Sequence, residues 1–437
     1  MRDRRPPILL VARRVRHLAL LALLLVGACS TPDAGALDAR RPAITMGAPE
    51  DVGLSPTALA ETGPTMQAAI DEGRTGGIVT LVARDGVVVH WEAHGWRVLG
   101  EDPLERDDVF RIYSMTKPVT SVAAMMLVEE GRLELDQPLE DVLPAFAGVQ
   151  VYDDGALRPP ARSITIQDLL RHTSGITYGI FGNSPVDRMY VDALQALEMD
   201  TGRTLEETVD IVAGLPLLAD PGTLWNYSMS TDVLGRVVEV ASGMSLDAFF
   251  RTRIFEPLGM DDTGFHVAEE SHHRLLDVYT RREGGLLAVD AADGSPFTEP
   301  PSWYSGGGGL TSTPSDYLRF AQMLANEGAL GGVRLLRPET VQAMTTNQLD
   351  EALLPMRLGG PIPSHGWGLG FAVGMEGPVE DIYWWAGIAN TRFWIDPVED
   401  IVAFAWTQYL PSGGVSLDGE LRRIVYESLV ERRRTEG

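Results

Sequence analysis

A chain of 437 residues, 44% hydrophobic and 22% charged, is long enough for one large domain or two ordinary ones, and its composition is that of a folded globular protein rather than a disordered or fibrous one. The formal net charge is −25, and without residues 2–16, which hold six arginines and one aspartate, the balance is 30 basic against 60 acidic side chains. A surface of that sign repels nucleic acid and anionic membrane, so no nucleic-acid partner is expected.

The amino terminus reads as a leader. Arginines crowd residues 1–16, and an apolar run follows from Leu18 to Ala28. The run is shorter than the roughly 20 residues of a membrane span and suits a signal peptide. It ends in Val26-Gly27-Ala28-Cys29, and Cys29 is the only cysteine, so no internal disulfide is possible. Residues 29–45, rich in Pro, Ala, Asp and Arg, read as a flexible tether. The paired arginines Arg4-Arg5 and Arg13-Arg14 hint only faintly at a twin-arginine route.

Ser55-Pro56 opens a helical stretch towards Ile70. Two apolar strands follow, Ile78–Ala83 and Val87–Trp91, split by the hairpin dipeptide Asp85-Gly86. His90 and His94 stand four apart beside this hairpin, but no third ligand accompanies them and no metal is expected. A helix is predicted from about Ser114 to Glu130, with Pro118 in its first turn and Gly131 just past its end. Pro118 also restricts Lys117, a tension at that point.

Lys117 is the only lysine; every other basic side chain is arginine. A guanidinium cannot lose its proton in a protein, whereas an amine can, so position 117 reads as one that needs a nitrogen able to be neutral. Ser114, three residues earlier, falls on the same helical face. Ser-x-x-Lys is a layout for an activated nucleophile, although the pattern alone also arises by chance.

From there to about residue 300 the pattern is mostly helical and loop-like, with helices over Ile166–His172 and Asp232–Ser242. The glycine run Gly306–Gly309 leads into a helix over about Ser315–Gly328. Strands return at Ile382–Trp385, Thr391–Ile395 and Ile401–Gln408, with Asp396-Pro397 at the last reversal, and Asp418–Arg432 closes the chain as an amphipathic helix. The expected fold class is α/β (α+β): β-rich ends pair into one antiparallel sheet covered by the first and last helices, and the middle forms a mostly helical lobe. The sheet lobe would span about 46–115 and 300–437 and the helical lobe about 116–299, with the site in the cleft between. The sequence contains no Gly-x-Ser-x-Gly elbow, phosphate loop or dinucleotide fingerprint, and no cofactor is expected.

Three separated motifs, Ser114-Met115-Thr116-Lys117, Tyr227-Ser228-Met229 and Trp385-Ala386-Gly387, occur in the order of a known superfamily. The chain resembles class C serine β-lactamases, penicillin-binding DD-peptidases and, closest in motif, family VIII carboxylesterases. Supporting stretches are Leu169-Leu170-Arg171-His172-Thr173-Ser174-Gly175, Phe255-Glu256-Pro257-Leu258-Gly259-Met260 and Gly308-Gly309-Leu310, so the resemblance spans about residues 50–430. It implies a β-lactamase/DD-peptidase-like fold and an acyl-enzyme formed on Ser114. Lys117 and Tyr227 would manage the proton together, and which of them takes it stays open. The oxyanion would be held by the backbone N–H groups of Ser114 and Ile388. His172 is expected to structure a loop rather than to catalyse. The leader likewise resembles a bacterial lipobox, which implies lipidation at Cys29 and an exported protein anchored to a membrane, facing the periplasm or cell exterior.

Two departures bear on the substrate. The second motif normally ends in asparagine, whose amide binds an acylamino side chain; Met229 stands there. The third normally opens with a cation and a threonine that bind the substrate carboxylate; Trp385 and Ala386 replace them. A site lined by Met229, Trp385, Ala386 and Gly387 is expected to take small neutral esters. The alternatives are a β-lactamase or DD-carboxypeptidase acting on β-lactams or cell-wall peptides, and a binding lipoprotein on the same fold without catalysis.

Overall fold

Asp85 and Gly86 both adopt positive φ, 53° and 73°, and turn strand β1 (Gly77–Arg84) directly into β2 (Val87–Val98). The twist of such a two-residue turn matches that of the strands it joins. The computed structural model describes residues 44–198 and 202–434. The leader, Cys29 and most of the tether lie outside them. No helix among the described residues is long and apolar enough to cross a membrane.

Helix α1 (Thr62–Asp71) precedes the hairpin and α2 (Thr116–Glu129) follows it. The remaining elements that place the site are α3 (Ile166–Leu170), α4 (Ser230–Ser242), β3 (Val278–Arg282), β4 (Gly285–Asp290) and α5 (Pro314–Ala325). The carboxyl-terminal part supplies β5 (His365–Trp367), β6 (Ala372–Gly374), β7 (Tyr383–Ala386), β8 (Thr391–Asp396), β9 (Ile401–Thr407) and α6 (Leu417–Glu427).

The two ends of the chain do pair. The main sheet runs β2-β1-β9-β8-β7-β6-β5, all antiparallel, with the short strand Thr45–Met46 added in parallel outside β2. At the seam Leu81 faces Phe404. Both seam strands are buried along their whole length because both sheet faces are covered. Ile78 and Val82 of β1, with Ile401, Ala403 and Ala405 of β9, enter one cluster with Met66 and Ala69 of α1 and Leu417, Leu421, Ile424 and Val425 of α6. The alternate residues Val79, Leu81, Val402, Phe404 and Trp406 enter the larger cluster on the opposite face. The spacing of the α6 residues is that of one helical stripe. Helix α2 lies within the larger cluster and is buried from Thr116 to Leu127, so it carries no polar stripe.

Some expectations need correction. The stretch 116–299, expected to be mostly helical, also carries short strands: Val151–Asp153 pairs with Ala156–Arg158, and β3 pairs with β4 and with Tyr409–Leu410. Strand β4 has Leu287 and Val289 exposed, so it shows no alternation of the kind that marks a half-buried strand. Strands β5 and β6 were not expected; each has three residues and contains a glycine. The closing helix stops at Glu427 rather than Arg432. Beyond it the Glu399 carboxylate, buried and paired with Arg84 at 2.9 Å, accepts the backbone N–H groups of Arg433 and Arg434 and fixes that segment in a non-helical path. The predicted start at Ser114 is instead a 3₁₀ turn, Tyr113–Met115, and α2 proper begins at Thr116. Pro118 is its third residue, where no intrahelical N–H is needed.

Candidate active site

Ser114 is presented by a turn pinned on several sides. Ile112 N–H donates to the Leu310 carbonyl at 3.0 Å, Met115 N–H to the Ile112 carbonyl at 3.0 Å, and Tyr317 Oη to the Met115 carbonyl at 3.0 Å. Tyr113, just before the serine, is held at φ 44°, a left-handed conformation that a bulky residue adopts only under constraint from its surroundings. Ser114 itself remains half-buried and reachable.

Lys117 is 1% exposed, and its Nζ donates to Ser114 Oγ at 3.2 Å and to the Gly307 carbonyl at 2.5 Å. It also lies over two aromatic rings, 4.7 Å from the centre of Tyr227 and 5.4 Å from that of Tyr178. A buried amine therefore meets a hydroxyl, a carbonyl and two π faces, and among the described residues no ion pair joins it to a carboxylate.

Tyr227 comes from the segment leading into α4 and is 6% exposed. Its ring faces Lys117, while its hydroxyl accepts from Trp385 Nε1 at 3.2 Å. Trp385 belongs to β7, so this bond joins the sheet to the helical region. Gly387 follows at the strand end. A Cβ there would stand 2.5 Å from the Ile112 carbonyl, so only glycine lets the strand come this close to the serine-bearing turn. Ala386 is half-buried, and Ile388, beyond the glycine, is 42% exposed. Met229 caps the start of α4 and is buried in the main apolar cluster.

Ser114, Lys117, Tyr227 and Trp385 are thus linked by direct contacts, with Gly387 against the same turn. Several neighbours escaped sequence reasoning. Asp232, buried, accepts Gly307 N–H at 3.0 Å and Ser305 Oγ at 2.6 Å, so it fixes the loop whose carbonyl meets Lys117. A Cβ on Gly307 would stand 2.9 Å from Tyr178 Oη and against the Asp232 carboxylate. The glycine run was visible as a motif, but no spacing rule connects it with Asp232 or Tyr178. Burial pushes the Tyr178 phenol well above its ordinary range, and the Asp232 and Tyr227 side chains add to the effect.

His172 lies behind Tyr227, with ring centres 4.8 Å apart, and also meets Trp225 and Trp367. Burial, and then the charge of Lys117, lowers its pKa well below the usual histidine range, so it is an uncharged ring at neutral pH. Its backbone is left-handed, at φ 56°. His90 and His94 lie on the same face of β2 and bond elsewhere: His90 bonds Thr80 Oγ1 at 2.7 Å and His94 bonds Glu92 at 3.1 Å.

The beta-lactamase family model matches residues 64–427. Protein Rv1367c of Mycobacterium tuberculosis is 36% identical over 359 residues, covering 78% of this chain and 88% of its own length. Esterase EstB of Burkholderia gladioli is 32% identical over 345 residues, covering 73% and 82%. Among solved structures, EstCE1, described as a hydrolase with promiscuous acyltransferase activity, superposes with a TM-score of 0.71 at 28% identity, covering 85% of this chain and 99% of that one. The chain belongs to the beta-lactamase family, and its fold is the α/β fold of that family.

Proposed function

We propose that this member of the beta-lactamase family is a carboxylesterase-like serine hydrolase that cleaves small neutral carboxylic esters through an acyl-enzyme on Ser114. The observation that carries the reading is the 3.2 Å hydrogen bond between Lys117 Nζ and Ser114 Oγ, with the Tyr227 ring 4.7 Å from the same nitrogen. The similarity to an esterase and to a hydrolase with acyltransferase activity supports it.

In this reading Ser114 Oγ attacks the ester carbonyl carbon, and its proton passes to the Lys117–Tyr227 pair. The carbonyl π electrons move onto oxygen, which the backbone N–H groups of Ser114 and Ile388 hold. Collapse breaks the bond to the alcohol oxygen, which takes the proton back from the pair. Water then repeats the sequence, giving a proton to the pair and releasing the acid as Ser114 Oγ recovers it. The neutral lining favours esters over β-lactams and D-amino-acid peptides. Trp385 presents an indole where a carboxylate would need a cation, and Met229 offers no amide. The Lys117–Ser114 bond argues against a binding protein without catalysis. The test sets p-nitrophenyl acetate and butyrate against nitrocefin, with wild type and Ser114→Ala. Ester turnover lost in the variant supports the reading; faster nitrocefin turnover, or ester turnover that survives the variant, overturns it.

We also propose export and lipid anchoring at Cys29, supported by the arginine-rich leader, the apolar run and the single cysteine at its end. Cys29→Ser should move the protein from the membrane fraction to the soluble one and abolish palmitate labelling. Labelling that persists in the variant overturns the assignment.

A further inference from the structure

The loop 177–184 is wound round a buried carboxylate. Asp187, 4% exposed, accepts Thr177 Oγ1 at 3.0 Å and Ser184 N–H at 2.9 Å, and Thr177 Oγ1 in turn accepts Gly179 N–H at 2.9 Å. Gly179 is at φ 79°, and a Cβ on Gly182 would stand 2.8 Å from Asp187 Cγ. The loop therefore has a defined shape, and that shape sends two apolar side chains outward: Ile180 is 60% exposed and Phe181 43%. Phe181 does not stand alone in solvent. Its ring centre is 5.9 Å from that of Tyr227 and 6.4 Å from that of Tyr178. An exposed phenyl ring thus leans on the phenol that, in the proposed mechanism, takes part in returning the proton to the departing alcohol.

That relationship fixes which part of a substrate meets Phe181. The alcohol oxygen must come within hydrogen-bond reach of the Lys117–Tyr227 pair to be protonated, so its carbon substituent projects along the side of the site that Tyr227 forms. We propose that Phe181 determines specificity for the alcohol portion of the ester, and that it favours apolar and aromatic alcohols. The assignment rests on the function proposed above. The same wall receives an alcohol that replaces water in the second half-reaction. The incoming O–H gives its proton to the pair, its oxygen bonds the acyl carbon, the bond to Ser114 Oγ breaks, and Oγ recovers the proton. Phe181 therefore also sets how much acyl group goes to an apolar alcohol rather than to water.

The test keeps the acyl group constant. Methyl acetate and benzyl acetate are compared in the full-length protein and in Phe181→Ala and Phe181→Leu, with intact-mass detection of the acetyl adduct on Ser114. Phe181→Ala should lower kcat/KM for benzyl acetate about tenfold while methyl acetate changes by less than about twofold, and Phe181→Leu should fall between. With benzyl alcohol added to p-nitrophenyl acetate, the ratio of benzyl acetate to acetate formed should drop in Phe181→Ala. If the adduct forms but both esters fall equally, or the two ratios stay unchanged, Phe181 has no part in alcohol selection and the proposed function stands. If wild type forms no adduct with any ester, both fall together.

Discussion

Trp385 Nε1 donates to Tyr227 Oη across 3.2 Å, and through this bond a strand of the sheet holds the phenol that leans over Lys117. The indole thus does two things at the position where relatives that bind carboxylates would need a cation. It withholds the charge, and it orients a residue of the proposed proton-handling pair. Trp385→Phe keeps an aromatic ring and removes the donor together with part of the indole. A neutral hydrogen bond contributes about 0.5–1.5 kcal/mol, so kcat/KM for p-nitrophenyl acetate should fall about two- to tenfold, and the smaller ring should lower the thermal midpoint as well. Trp385→His, which can restore a donor, should recover part of the loss. Equal activity in wild type and Trp385→Phe would show that the bond orients nothing that matters.

Lys117 is the more demanding position. Its amine is buried between Gly307, Ser114 and two rings, and a guanidinium has neither the shape nor the ability to give up a proton. Lys117→Arg should abolish ester turnover, at least about a thousandfold, although the charge is retained. Since the longer side chain also strains a packed site, Lys117→Met serves as its partner: similar in volume, uncharged and expected to be equally inactive. A circular dichroism spectrum and thermal midpoint near those of wild type in either variant separate lost chemistry from lost fold. Turnover in Lys117→Arg within tenfold of wild type would remove the amine from the mechanism.

What the sequence carried, and what it did not, follows from the range of the forces involved. The Asp85-Gly86 hairpin, the apolar seam strands and α2 were legible because turn chemistry and apolar runs are local. Ser114 and Lys117 were legible as a pair from the lone lysine and the serine three residues before it, whereas Tyr227 and Trp385 were legible only through their resemblance to motifs, since nothing in the spacing brings residues 114, 227 and 385 together. The contacts that complete the site were not legible at all. Asp232 reaches Gly307 across the fold, Phe181 reaches Tyr227 from a loop, and the Gly387 approach to Ile112 depends on how β7 docks against the serine turn. Strand β4 was missed for a different reason: it faces solvent on most positions and carries no pattern to read.

Gly387 offers a test of that docking. A methyl group there would stand 2.5 Å from the Ile112 carbonyl, and backbone does not give way as a flexible side chain does. Gly387→Ala should push β7 from the serine turn, displace the neighbouring Ile388 N–H from its proposed oxyanion role and cut kcat about a hundredfold or more. The loss should be larger in kcat than in KM, because the donor acts on charge that develops only in the transition state. A variant with wild-type kcat would mean that the strand and turn accommodate the methyl without moving the oxyanion donors.

Acid sensitivity should report on the buried histidines. Burial pushes His90 down to about 4, against the partly opposing pull of the Glu92 carboxylate, while an unfolded histidine titrates near 6.5. Between those two values the unfolded chain binds a proton that the folded chain refuses, so stability is lost as pH falls through that window. From pH 7 to pH 5 the cost from His90 is about 2 kcal/mol. His172, also buried and also lowered, adds to it in the same direction. His90→Gln keeps a polar partner for Thr80 Oγ1, which lies 2.7 Å from the imidazole, but cannot titrate. Urea unfolding at pH 7 and pH 5 should therefore show a smaller pH-dependent loss in His90→Gln than in wild type, by about 2 kcal/mol, even if the variant is less stable overall. Parallel losses in the two proteins would mean that His90 is already protonated in the folded state at pH 5, with Glu92 rather than burial deciding its charge.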